Sequence, residues 1–194
     1  MRKLPVLALL LSLISTSLFA QEAGKNRTGA RIGVNYSNNR VRQNGESQYA
    51  DAKTGLSIGL FREIALDNRF TFQPELYFNA LGSKSGGSTT RFGYLSIPTL
   101  FKVHGKHFGF LAGPQVSLLL TAKEEVQYVG TTNVKDDYKS VDISGITGLE
   151  YTFGKKNNFV AGVRYQFAMN NIYKAVSGVA VFNYAWQGSV GFRF

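Results

Sequence analysis

Phe70-Thr71-Phe72-Gln73-Pro74-Glu75-Leu76-Tyr77-Phe78-Asn79 alternates strictly along its length. Side chains of a strand point to opposite faces in turn, so one face carries Phe70, Phe72, Pro74, Leu76 and Phe78. The other carries Thr71, Gln73, Glu75, Tyr77 and Asn79, an amphipathic strand rather than a helix. Seven more segments follow the same grammar, at about 30–36, 55–60, 94–103, 108–120, 142–153, 159–167 and 182–194.

The two faces decide the solvent. Across these segments the polar face is small and glycine-rich with a few charges, while the apolar face is broad and aromatic. A water-soluble barrel would do the reverse. A narrow barrel has little interior room, so small residues and a few paired charges suit its inside and the apolar face must meet lipid. The expected fold is an all-β, eight-stranded antiparallel up-and-down transmembrane β-barrel. A soluble lipocalin-like barrel is the alternative.

The connections alternate in length. Short ones lie at 65–69, 104–107 and 154–158, and long ones at about 37–53, 82–91, 121–140 and 169–179. Outer-membrane barrels have short periplasmic turns and longer outer loops. That parity sorts the aromatics into two belts. Phe70, Phe101, Phe108, Tyr151, Phe153, Phe159, Phe192 and Phe194 are expected near the periplasmic rim. Tyr36, Phe78, Phe92, Tyr165, Phe167, Phe182, Tyr184 and Trp186 are expected near the outer rim, as the headgroup region favours. The chain also ends on Phe192-Arg193-Phe194, which resembles the terminal signal read by the barrel insertion machinery.

The N-terminus agrees with export. Arg2 and Lys3 precede an apolar run from Leu4 to about Ile14, then Ser15, Thr16, Ser17 and Leu18-Phe19-Ala20-Gln21. This is the layout of a secretory signal peptide over 1–20, cleaved after about Ala20, with the barrel domain at 21–194. The apolar run is too short for a spanning helix, which needs roughly 20 residues. The mature chain then has 20 basic and 12 acidic residues, a net charge of +8. Without cysteine, it has no disulfide and no thiolate ligand.

Several stretches resemble the PorT-like outer-membrane β-barrel family of Bacteroidetes-type bacteria. They are Phe72-Gln73-Pro74-Glu75-Leu76-Tyr77 followed by Gly82, Tyr94-Leu95-Ser96-Ile97-Pro98 with Lys102, Gly113-Pro114, Asp142 with Gly148, and Arg164-Tyr165. In that family an acidic residue is usual where Ser96 stands, so one inward carboxylate is missing. The resemblance spans about 28–194 and implies the barrel fold and the bacterial outer membrane. The family's named member belongs to a secretion apparatus.

The inward charges expected are Arg31, Glu75, Lys102, Asp142, Glu150, Arg164 and Arg193. The 154–158 turn pairs Glu150 with Gly162 and Arg164 with Gly148, making Glu150 and Arg164 diagonal neighbours on the inner face. Burial of charge is costly unless it is paired, so these residues are expected to form a structural lumen network rather than an ion path. No catalytic constellation is present. His104 and His107 lie in a short turn without a third ligand, far from the outer rim where a hydrolase would need its base. Neither a cofactor nor a metal is expected, and the mixed-charge stretch with Glu124, Glu125, Asp136 and Asp137 reads as a solvated loop.

The basic residues are scattered rather than clustered, which argues against nucleic acid. Arg40, Arg42, Lys84, Arg91 and Lys174 could meet outer-membrane lipid and lipopolysaccharide headgroups. Two function classes remain. One is a structural or interaction barrel, with an envelope protein partner in a secretion or surface assembly. The other is a small pore or ligand-binding barrel, which bulky inward Tyr77, Tyr94, Arg164 and Arg193 disfavour.

Overall fold

The computed structural model describes residues 26–154, 156–174 and 178–194. The expected signal peptide and its cleavage point lie outside them. Ten strands follow one another: β1 (Asn26–Gln43), β2 (Glu46–Tyr49), β3 (Asp51–Ala65), β4 (Phe70–Ser85), β5 (Ser88–His104), β6 (Phe108–Val126), β7 (Gly130–Asn133), β8 (Val141–Phe153), β9 (Phe159–Ala168) and β10 (Val179–Arg193). Eight of them form the wall in the order β10-β9-β8-β6-β5-β4-β3-β1, and β10 pairs with β1 to close the ring. The expected eight-stranded antiparallel barrel is therefore the fold. β2 folds back on the end of β1, and β7 on the end of β6.

The alternation in the sequence becomes an inside-out distribution. Ile32, Leu56, Phe110 and Val163 are each more than half exposed on the outer face, whereas Arg31, Gln73, Glu150 and Arg164 are buried inside. A monomer in water rarely leaves so continuous an apolar band open. Among the described residues no helix is long and apolar enough to cross a membrane; the strands are the crossing elements.

Three short turns gather at one end, together with the start of β1 and the end of β10. In the β3–β4 turn, Asp67 Oδ1 accepts from the backbone N–H of Arg69 at 2.6 Å and of Phe70 at 2.8 Å. These bonds favour the ionised carboxylate and hold its pKa below the ordinary 3.8.

At the opposite end the strands overrun the sequence expectation. β1, β5 and β6 have 18, 17 and 19 residues, where about 9–11 span a membrane. Much of the expected loops at 37–53, 82–91 and 121–140 is therefore strand, forming arms beyond the apolar band. The 82–91 connection closes to a tight hairpin at Gly86-Gly87, both at positive φ. β1 turns into β2 at Asn44-Gly45, with φ of 50° and 89°, the left-handed pair a two-residue hairpin needs.

Two inward positions also correct the sequence expectation. Phe92, placed above in the outer aromatic belt, shares the parity of inward Tyr94 and is buried in the barrel. Glu63 on β3 is an inward carboxylate that the eight short segments did not include.

Elsewhere the wall is so close-packed that a side chain would not fit. A Cβ on Gly55 would stand 2.1 Å from the carbonyl oxygen of Ala80, and one on Gly113 would stand 2.2 Å from that of Thr99.

Candidate functional site

A β-barrel concentrates its chemistry in the lumen, and this lumen is built in layers. At its centre lies a charge network. Glu150 on β8 faces Gly162 and Arg164 faces Gly148 across the β8–β9 ladder. Arg164 Nη2 donates to Glu150 Oε1 at 2.9 Å and to Glu75 Oε1 at 2.8 Å, while its Nη1 donates to Glu75 Oε2 at 2.6 Å. The doubled contact with Glu75 is the fork geometry that guanidinium offers a carboxylate. Gln73 Nε2 donates to the same Glu75 at 2.6 Å.

Glu150 also takes Lys102 Nζ at 3.1 Å and Arg31 Nη1 at 2.5 Å. The Arg31 contact is an ion pair without hydrogen-bond alignment, and its guanidinium lies over the Phe61 ring, 4.8 Å from the centroid. Lys102 reaches on to Glu63, which Arg193 Nη2 contacts at 2.8 Å. Four cations and three carboxylates are thus interlocked from β1, β3, β4, β5, β8, β9 and β10. With side chains this deeply buried, each charge depends on its partners.

Of the seven inward charges expected from sequence, six meet here and Asp142 does not. It sits deeper along β8, where Asn183 Nδ2 donates to it at 2.8 Å and to Tyr94 Oη at 3.1 Å. No cation pairs with it among the described residues. Glu63 takes the place the sequence had given it in the network. It was missed because Phe61, inward and apolar, interrupts the alternation just before it.

Between the charges and the arm end lies a layer of amides and hydroxyls. Asn35 Nδ2 donates to Asn79 Oδ1 at 3.3 Å and Gln187 Nε2 to Asn35 Oδ1 at 3.1 Å. Gln115 bonds Ser117, Ser144 and Gln166, each at 3.2 Å. The void inside this layer is about 20 Å³, room for about one water. Asn39 and Asn183 form the next bond at 2.5 Å.

The arm end is capped by apolar side chains. Leu81, Phe92, Tyr94, Leu119, Ala122, Ile172, Val181 and Ala185 make one cluster, with Tyr138 and Tyr173 against it. Ile172 comes from the β9–β10 connection rather than the wall. The backbone N–H of Ile172 donates to the carbonyl of Val181 at 2.9 Å, and the N–H of Lys139 to the carbonyl of Ile172 at 2.7 Å. Burial raises the Tyr138 phenol to about 12.

The turn end is open instead. A cavity of about 870 Å³ runs from the turns down to Lys102, Glu150 and Arg193. His104 and His107, expected as plain turn residues, line it, and no metal-holding cluster of His, Cys, Asp or Glu occurs among the described residues. Phe192 on β10 and Phe194 just past its end are both exposed.

A family model described as an outer membrane protein beta-barrel domain matches residues 19–174. Among solved structures, the chain is similar to Ail, the attachment invasion locus protein of Yersinia pestis. The identity is 15%, covering 88% of this chain and 100% of that one, with a TM-score of 0.49. Neisserial surface protein A is similar at 13% identity over 85% and 97% of the two chains, TM-score 0.49. OprG from Pseudomonas aeruginosa follows at 11% identity over 88% and 96%, TM-score 0.44. No functionally curated protein matches the chain.

Proposed function

The chain belongs to the outer membrane protein beta-barrel domain family, and from that premise we propose that it is a sealed, non-enzymatic barrel serving as the membrane part of an envelope assembly. The short turns then face the periplasm and the arms face outward. The filled lumen carries this proposal. A conducting path would have to pass the ion-paired network, the amide layer and the apolar cap, and the widest void within the amide layer is about 20 Å³.

A barrel that does not conduct works through its surfaces. The long arms end in polar hairpin turns at Asn44-Gly45 and Gly86-Gly87, and recognition usually resides on such loops. The PorT-like resemblance favours a secretion or surface assembly with a protein partner. Arg40 and Arg42 lean over Phe182, with guanidinium carbons 4.9 and 5.5 Å from its centroid. That places positive charge beside the aromatic belt, where lipopolysaccharide headgroups would meet it. Lys84, Arg91 and Lys174 are the other candidates, although Arg91 is already paired with Glu125. Phe192 and Phe194 would serve the insertion machinery, and the network of Arg31, Glu63, Glu75, Lys102, Glu150, Arg164 and Arg193 would hold the register.

Two measurements test the proposal. Single-channel recording of the purified protein in planar bilayers is expected to show no discrete steps; reproducible steps would remove the sealed barrel. Mild cross-linking on intact cells, followed by purification from the outer membrane, is expected to bring down a stoichiometric envelope protein. Recovery of the barrel alone would remove the assembly.

A further inference from the structure

The cavity at the turn end is a pocket rather than a passage, because the charge network forms its floor. Its volume of about 870 Å³ falls in the range of small-ligand sites, about 300–1,000 Å³. The lining holds three carboxylates, Glu63, Asp67 and Glu150, and all three are engaged. Glu63 is held by Lys102 and Arg193, and Glu150 by Arg31, Lys102 and Arg164. Asp67 is spent on its own turn.

The cations are not balanced in the same way. The floor network has four cations for three carboxylates, an excess of one positive charge. Above it stand the exposed side chains of Arg27, Arg69 and Lys106. Arg27 reaches only backbone carbonyls, those of Lys156 and Asn157 at 3.3 and 3.4 Å. None of the three forms a contact ion pair among the described residues, although Asp67 acts on Arg69 through space. The Nδ1 atom of His107 on the same wall is buried without a hydrogen-bond partner. A concave site with low-dielectric walls and an excess of one sign of charge concentrates counter-ions, and guanidinium forks match planar carboxylates.

We propose that this vestibule binds an anion bearing several carboxylates, supplied by a free organic acid or by an acidic peptide segment. The rim cations Arg27, Arg69 and Lys106 draw it in and hold it above a floor where Lys102 and Arg193 are matched by Glu63 and Glu150.

The test is calorimetric titration of the full mature protein, folded in a neutral detergent, with citrate and separately with hexaglutamate. Either probe is expected to bind, with an affinity that falls as salt rises; citrate binding identifies a free acid as sufficient, and binding of hexaglutamate alone identifies a peptide segment. The triple variant Arg27→Gln, Arg69→Gln, Lys106→Gln changes exposed side chains only, and heat-dependent gel mobility reports that it is folded. Its binding is expected to weaken by about tenfold or more. Arg40→Gln with Arg42→Gln, at the other end, is expected to leave binding unchanged. Binding of neither probe, or equal binding by the folded triple variant, would overturn the proposal.

Discussion

Replacing Glu150 with alanine takes away the hub of the lumen. Three cations contact its carboxylate, Arg31 at 2.5 Å, Arg164 at 2.9 Å and Lys102 at 3.1 Å. Their losses differ. Arg164 keeps its two bonds to Glu75, and Lys102 keeps Glu63. Arg31 keeps only the Phe61 ring, since Glu150 is the one carboxylate in its ion pairs among the described residues. Stranding one partner of a buried pair typically costs about 3–5 kcal/mol. With two of the three cations still held, the lower figure of about 3 kcal/mol applies.

The assay is urea unfolding of the barrel in detergent, followed by fluorescence of Trp186, the single tryptophan of the chain. With a slope of roughly 1–3 kcal/mol per molar, the midpoint is expected to fall by about 1–3 M. Arg31→Met in the Glu150→Ala background removes the stranded charge and is expected to recover part of the loss, a coupling that a double-mutant cycle measures. A Glu150→Ala midpoint equal to that of the unaltered protein would refute the pairing as a source of stability.

Four further predictions concern the wall and its ends. Gly55→Ala drives a methyl against the Ala80 carbonyl and is expected to cost about 1–3 kcal/mol. Gly188→Ala, with nothing within 4 Å of its added carbon, should stay within about 0.5 kcal/mol in the same unfolding assay. Asp67 has a folded-state pKa below the ordinary 3.8, so its stabilising contribution is full above that value and is lost as pH falls through the folded pKa. Proton titration by NMR should find Asp67 ionising below 3.8, and Asp67→Ala should make stability fall less steeply on the acid side. Phe194→Ala is expected to lower the amount of barrel assembled in cells, read by heat-dependent gel mobility, while leaving the unfolding midpoint of refolded protein nearly unchanged.

The wall was legible because lipid writes a strong pattern. Where a strand crosses the apolar band, as at Phe70–Asn79, every second side chain must be apolar and the faces separate cleanly. Outside that band both faces meet water, the alternation fades, and the arms formed by 38–43 and 121–126 resemble loops. Asn44-Gly45 and Gly86-Gly87 were the surviving signals of tight hairpins there. Inside the band the misses have a single cause. Phe61, Leu100 and Leu111 are inward apolar residues filling a lumen that the pattern assumed to be polar, and they obscured Glu63 beyond Phe61. The diagonal relation of Glu150 and Arg164 followed from turn length alone. Ile172 as part of the cap did not, since a residue from a connection entering the mouth leaves no periodic trace.

The seam between β1 and β10 has a consequence for how the molecule comes into being. Its ladder runs from Gly29 opposite Arg193 to Gln43 opposite Val179, joining the stretches of wall that are made first and last. Without that ladder the cylinder would be a curled ribbon with two raw margins, each offering unanswered backbone groups to whatever strand lies nearby. Anything that assisted assembly would have one decisive task, to shepherd those margins toward each other rather than toward strangers.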